Sequence, residues 1–204
     1  MDEKETRQRI LDTAARLFGE RGKAAVSTAE IAREAGINKA MIFYYFGSKD
    51  ELYGAALRKW FTELGENLQT SLAGAEPGLS TIEAFVRAHI RYLQAHPELV
   101  RLVIRELIAS DFNSPEIYRD ALKPFQVIRD CLLHSLEIAR ERGEIRDVDP
   151  LHTAVNIISM DVFVFLGKPI VQSINPGIDI EKFVEDRVQN ILDLLMNGLR
   201  KKPE

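Results

Sequence analysis

An all-α chain of about nine helices is predicted from three features of the sequence. Apolar residues recur at helical spacing along its length, N-capping residues stand ahead of the apolar runs, and glycine or proline interrupts them at short intervals. No segment shows the period-two alternation of a half-buried strand, and no internal repeat or low-complexity tract is present.

The first helix carries Ile10, Leu11, Ala14, Leu17 and Phe18 on one stripe and ends before Gly22, which suits a left-handed C-cap. Ser27-Thr28-Ala29-Glu30 is a capping box, in which the serine hydroxyl takes a first-turn amide and the glutamate reaches back. A short second helix over 28–35 begins there. Gly36-Ile37-Asn38 breaks it, and Asn38 caps a third helix from Lys39 to Phe46, closed by Gly47. Ser48-Lys49-Asp50-Glu51 repeats the capping box, and Leu52, Ala56, Trp60, Leu64, Leu68 and Leu72 carry a long fourth helix over 49–72. Gly74, Pro77 and Gly78 make 73–80 the strongest internal break.

Further helices are expected over 81–95, stopped by Pro97, over 98–109, and over 115–142, capped at Ser114 and kinked or split at Pro124. Asp149-Pro150 starts another, to Leu166, apolar nearly all round and therefore expected to be buried on most sides. Asp179 caps a last helix with Ile180, Phe183, Val184, Val188, Ile191, Leu192 and Leu195 on one stripe, ended by Gly198. The expected organisation is a three-helix helix-turn-helix domain over 1–48 and a C-terminal bundle over 49–204, with the fourth helix connecting the two.

At 204 residues, 46% hydrophobic and 28% charged, the chain has ample material for a packed core. Cys131 is the single cysteine, so no intramolecular disulfide forms and a reducing compartment, the cytoplasm, is expected. The first residues carry acids and lack the apolar core of a signal peptide. No stretch approaches the ~18 uncharged apolar residues of a membrane span, so no membrane partner is expected. Net charge is -4, yet residues 1–60 hold 11 Lys or Arg against 9 Asp or Glu, leaving 16 against 22 for the rest. The N-terminal segment is thus mildly basic within an acidic chain.

Two short helices joined by a glycine-containing turn form the unit whose second helix enters the DNA major groove. On a helical wheel for Lys39 to Phe46, Ile42, Phe43 and Phe46 share an inward arc, while Ala40, Met41, Tyr44 and Tyr45 share an outward one. Lys39 stands at the N-terminal end, where base contacts concentrate, and Thr28 and Lys49 stand at helix N-termini suited to phosphates. The run AARLFGERGKAAVSTAEIAREAGINKAMIFYYFGSKDELYGAAL strongly resembles the N-terminal domain of the TetR family of bacterial transcriptional regulators. The resemblance covers roughly residues 7–57 in order and spacing. It implies that Thr28, Lys39, Ala40, Met41, Tyr44, Tyr45 and Lys49 face DNA. Ala40 and Tyr45 stand where the family commonly has Gly and His, which leaves the operator sequence open. The remainder resembles the family only in architecture and in phrases such as ERGEIRDVDP.

An enzyme is not expected: there is no His-Glu-x-x-His, no Glu-x-x-His pair, no Cys-x-x-Cys and no phosphate-binding loop, so neither a metal nor a cofactor is implied. The resemblance implies a homodimer on a pseudo-palindromic DNA operator. The last two helices would form the interface, with Val184, Val188, Ile191 and Leu195 as its residues or, alternatively, as the protomer's own core. A repressor released by a small apolar or amphipathic effector, bound among helices 5 to 8, is the leading expectation. A bundle that only dimerises or binds a protein is the alternative. Asp161 stands out amid Ile157, Ile158, Met160, Val162, Phe163 and Val164, since a buried carboxylate must be paired, protonated or left for a ligand. Arg105 is a candidate partner, and His89, Tyr92, Cys131 and His134 are further candidates for the same pocket.

Overall fold

The computed structural model describes residues 2–108, 120 and 122–200, with the backbone alone for 105–108 and 125. Nine helices lie among the described residues: α1 Glu3–Arg21, α2 Thr28–Ala35, α3 Lys39–Phe46, α4 Lys49–Leu72, α5 Leu79–Ala95, α6 Pro97–Ile108, α7 Lys123–Glu141, α8 Pro150–Ile174 and α9 Ile180–Leu199. Extended pairing among them is limited to one bridge, Ile145 with Arg200. The fold class read from the sequence is the one observed, with an N-terminal helix-turn-helix domain and a helical C-terminal domain.

The caps form as the side chains dictate. Ser27 Oγ accepts the Glu30 amide at 3.1 Å, Asn38 Oδ1 accepts that of Ala40 at 2.9 Å, and Ser48 Oγ accepts that of Glu51 at 3.1 Å. Asp149 and Asp179 cap α8 and α9 in the same way. Between α2 and α3 the chain reverses at Gly36, whose φ of 64° and ψ of 40° are left-handed. The Ile37 amide then donates to Ala32 O at 3.0 Å, closing the last turn of α2. A side chain at Gly36 meets no atom within 4 Å, so alanine there would cost only the backbone term, roughly 1 kcal/mol.

Two elements depart from the sequence reading. The expected start at Ser114 lies outside the described residues, and α7 begins at Lys123 with Pro124 in its first turn, where a missing amide is harmless. Helix α8 runs past Leu166 to Ile174 with Pro169 inside it. Pro169 is exposed, so the lost backbone bond lies towards solvent.

The chain divides into two compact units, residues 1–64 with 98–125 and residues 65–97 with 126–204. In the first, α2 packs on α1, and Ile10, Phe18, Ile31, Ile42, Leu52 and Tyr53 are buried. The Phe18 and Tyr53 rings meet edge to face at 5.1 Å, joining α1 to α4. Surface ion pairs of Arg16 with Glu34 and of Arg21 with Glu30 link α1 to α2, and Arg16 also pairs with Glu20 along α1. Helix α6 approaches α1 closely: a Cβ on Gly19 would stand 3.1 Å from Glu98 Cβ.

In the second unit, α5 packs on α8 and α9 over a core that includes Phe85, Ile90, Leu136, Ile157, Ile191 and Leu192. The loop before α5 is fastened to the end of α7. Arg142 Nη1 donates to Pro77 O at 2.9 Å, and the Leu79 amide donates to Glu144 Oε2 at 3.3 Å.

Helix α8 is not buried on most sides, as its composition suggested. Thr153, Ala154, Ile157, Asp161, Val164 and Gly167 face inward, whereas Leu151, Val155, Phe163, Leu166, Ile170 and Ile174 are exposed. At 100° per residue these exposed positions fall within about 140° of one another, on one continuous face. By length and composition the helix could cross a membrane, its best 18-residue window having mean hydropathy 1.6, which the sequence reading had not anticipated. Its inward stripe nevertheless holds a carboxylate paired to α5, as a core helix with one uncovered face would.

Candidate nucleic-acid interface and a buried carboxylate

Helix α3 is eight residues long and six of its side chains are aromatic or aliphatic beyond alanine, so sequence alone gives it little amphipathic gradient. Its orientation is set by neighbours. Ile42 and Phe46 are buried, and the Arg7 guanidinium of α1 lies 4.9 Å from the Phe46 ring centre. Opposite them, Lys39 and Ala40 are exposed, Tyr44 is 73% exposed and Phe43 is 45% exposed.

Phe43 therefore does not pack inward as the wheel suggested. It stands on the outer face with the Lys39 ammonium 5.9 Å from its ring centre. Tyr45 moves the other way. It is half-buried and opens with Arg7, Phe46, Glu51 and Arg58 onto a groove of about 360 Å³. Partial desolvation, with Glu3 adding, raises its phenol above the ordinary value. The physical reason for both corrections is the docking of α3 on α2, which sets a different inward arc from the one the wheel assumed. Met41 is half-buried at the margin, and Tyr44 meets Tyr45 edge to face at 5.0 Å.

Thr28 and Lys49 are half-buried first residues of α2 and α4, beside backbone amides that carry the positive end of each helix. Gly47, with φ 76°, brings the chain from α3 to Lys49, and its amide donates to Phe43 O at 2.9 Å. The surface so assembled combines exposed aromatic faces, two lysines and helix N-termini. That is the chemistry of base edges flanked by phosphates.

The second unit holds a different arrangement. Asp161 of α8 is fully buried, and its Oδ2 lies 3.0 Å from His89 Nδ1 on α5. The second oxygen, Oδ1, has no hydrogen-bond partner among the described residues. Burial pushes the Asp161 carboxyl above its ordinary value, and the hydrogen bond and charge of His89, with Arg187 of α9 at longer range, oppose the shift. Phe85 and His89, one turn apart, place their rings 5.1 Å from each other, and Tyr92 continues the same buried face of α5.

The candidates gathered around Asp161 thus separate. His89 pairs with it and Tyr92 shares the face of His89, while the side chain of Arg105 lies outside those described. Cys131 is half-buried on α7 and His134 is exposed, so His134 is not part of a buried pocket. Val184, Ile191 and Leu195 are buried within the protomer and Val188 half-buried, so they serve its own core. In the second unit most of the large apolar side chains that remain exposed lie on α8, with Val127 on α7 and Leu194 on α9. Among the described residues no group of three His, Cys, Asp or Glu could hold a metal ion.

Residues 10–56 match the family model for bacterial regulatory proteins of the tetR family. The HTH-type transcriptional regulator BetI of Brucella anthropi is 34% identical over 94 residues, 46% of this chain and 48% of that protein. The chain spans about half the length of the curated relatives it matches. Among solved structures, a putative transcriptional regulator from Saccharomonospora viridis in complex with choline superposes with TM-score 0.79 at 21% identity, over 98% of this chain and 100% of that one. A TetR transcriptional regulator from Chloroflexus aurantiacus gives 0.76 at 24% identity, over 98% of each chain. The structural likenesses extend the shared fold through the C-terminal helices, whereas the family-model match is confined to residues 10–56. Capped short helices, an exposed aromatic face on α3 and the matched run together support a TetR-family transcriptional regulator, the matched domain being residues 10–56.

Proposed function

We propose that the protein is a homodimeric repressor that reads a pseudo-palindromic DNA operator with α3 and releases it when a small organic effector binds its C-terminal helices. The carrying observation is the outer face of α3, where Tyr44 and Phe43 are exposed between Lys39 and the N-terminus of α4. Large aromatics held out in water beside cations are costly surface unless a partner covers them, and a groove of stacked bases between phosphates covers both kinds of group. Lys39, Ala40, Phe43 and Tyr44 meet base edges, Met41 reaches a thymine methyl at the margin, and Thr28 and Lys49 hold phosphates. Tyr45 contributes by holding the Tyr44 ring edge to face on α3.

A second copy of the chain covers the outward face of α8 together with Leu194 of α9. That pairing supplies the two-fold axis on which two reading heads meet half-sites about one helical turn, roughly 34 to 36 Å, or a multiple apart. The choline-bound neighbour of the same fold supports an organic effector, and the polar centre at Asp161 supports its location in the second unit. The protein then acts in the cytoplasm, where the operator is.

Selection of bound sequences from a random duplex pool, followed by fluorescence anisotropy on the enriched site, tests the reading. The expected result is an inverted repeat bound by two protomers, with affinity falling steeply as salt rises. Failure to enrich any sequence, or enrichment of a single half-site bound by a monomer, overturns it.

A further inference from the structure

Asp161 is 0% exposed, and its two oxygens are treated differently by the fold. Oδ2 has a hydrogen-bond partner, His89 Nδ1, at 3.0 Å. Oδ1 faces no donor among the described residues. A buried carboxylate oxygen without a donor is destabilising in either protonation state, because Oδ1 remains an unsatisfied acceptor even when a proton on Oδ2 is shared with His89 Nδ1. Replacing Asp161 by an aliphatic residue would remove that cost, so its position calls for a counterpart that completes it.

Three properties of the surroundings restrict what the counterpart is. The opposing face of α5 offers the buried rings of Phe85, His89 and Tyr92, and α8 adds Ile157 and Val164, so the body of an occupant meets apolar and aromatic walls. Besides His89, the charged side chain that acts on Asp161 is Arg187 of α9, and its effect is the smallest of those on the carboxyl. The open position is an acceptor, and a carboxylate acceptor takes its strongest hydrogen bond from a charged donor.

We propose that the effector of this protein is a compact organic ammonium ion bearing at least one N–H, which donates to Asp161 Oδ1 while its carbon skeleton lies against the α5 aromatics. The proposal rests on the reading of the second unit as an effector-binding domain and assigns that effector's chemical class. Primary and secondary ammonium ions bring a charged donor to Oδ1. A quaternary ammonium ion supplies charge but no donor, an alcohol supplies a donor but no charge, and a carboxylate supplies neither. Because Oδ1 is sealed from solvent, the ion reaches it only when α5 and α8 part, so association is slower than diffusion allows.

The test uses the full chain, calorimetric titration and thermal melting, with n-butylammonium, tetramethylammonium, n-butanol and n-butyrate as probes. Butylammonium is expected to bind at least about tenfold more tightly than butanol or tetramethylammonium and to raise the melting temperature, whereas butyrate does not bind. Asp161→Asn is expected to lose that preference while still melting cooperatively. Should this variant not fold, the 13C resonance of the Asp161 carboxyl in the unaltered protein provides the second reading and is expected to shift on adding butylammonium. Equal binding of butanol, undiminished preference in Asp161→Asn, an unmoved carboxyl resonance, or no ammonium binding at millimolar concentration each overturns the proposal, the last leaving an internal water as the occupant. Anisotropy with operator DNA separates the two readings. Ammonium binding at Asp161 that leaves DNA affinity unchanged keeps the site and removes the sensor, while DNA release by an uncharged compound acting elsewhere keeps the sensor and removes the site.

Discussion

Helices α3 and α8 both hold large apolar side chains in water, and they do so in opposite company. On α3, Phe43 and Tyr44 stand with Lys39 on the helix and Lys49 just beyond its end. On α8, Phe163, Leu166, Ile170 and Ile174 share a face that carries no Lys, Arg, Asp or Glu. Exposure alone marks both as contact surfaces; the neighbouring charges decide the partner. Aromatics among cations suit a polyanion with stacked rings, and an uncharged, mainly apolar face suits another of its kind.

The largest expected effect comes from placing a charge on the uncharged face. Ile170 is 63% exposed, and Ile170→Glu should leave the fold and melting temperature of the protomer nearly unchanged. Two copies per dimer would each bury a carboxylate against apolar surface, so dissociation should strengthen by about a hundredfold or more, read by sedimentation equilibrium. A protomer that unfolds would show that this face belongs to its own core. Tyr44→Ala comes next: loss of specific contacts should weaken operator binding about ten- to a hundredfold while binding to unrelated duplex changes little. Lys49→Ala should act more weakly and without regard to sequence, lowering affinity for all duplexes alike and flattening the salt slope by about one unit. If Tyr44→Ala and Lys49→Ala behave identically, the distinction between aromatic readers and cationic anchors fails.

The smallest effect concerns the opposite face of α8. Asp161 has its carboxyl raised above the ordinary 3.8 in the folded chain, so as pH rises the unfolded chain loses this proton first. Between the two values the native state binds more protons, and stability falls with pH across that window before levelling off. Asp161→Asn lacks this term, so its stability relative to the wild type should climb over the same interval. Paired urea titrations measure it, and a difference that stays flat from pH 4 upward would show that the carboxyl is not raised.

Local chemistry was readable where one residue type has one use. Ser27, Asn38, Ser48, Asp149 and Asp179 all cap the helices they were expected to cap, because a side-chain oxygen ahead of a helix has few competing roles. The recognition of the helix-turn-helix followed from those caps and the Gly36 turn. What stayed hidden was rotation. In α3 and α8 apolar residues occur on every side, so the pattern holds no information about which side meets the protomer. Phe43 and Tyr45 exchanged places for this reason, and the free face of α8 was mistaken for buried surface. The stripe of α9 was legible as a stripe, yet Val184, Ile191 and Leu195 could not reveal whether the core they fill is one protomer's or two. His89 and Asp161 lie 72 positions apart, and no local pattern reports a pairing of that range.

The first compact unit is not a continuous stretch of chain: residues 1–64 are completed only by residues 98–125. During synthesis, α1 to α4 leave the ribosome well before α6, whose first turn closes over Gly19. At about 5 to 20 residues per second, the intervening segment takes roughly 2 to 7 s to appear. Throughout that delay the reading head exists as a nascent intermediate with part of its surface uncovered. A polypeptide stopped at Leu72 would carry every residue proposed to meet DNA and is expected to read it less well than the whole, because the helix that packs on Gly19 had not yet been translated.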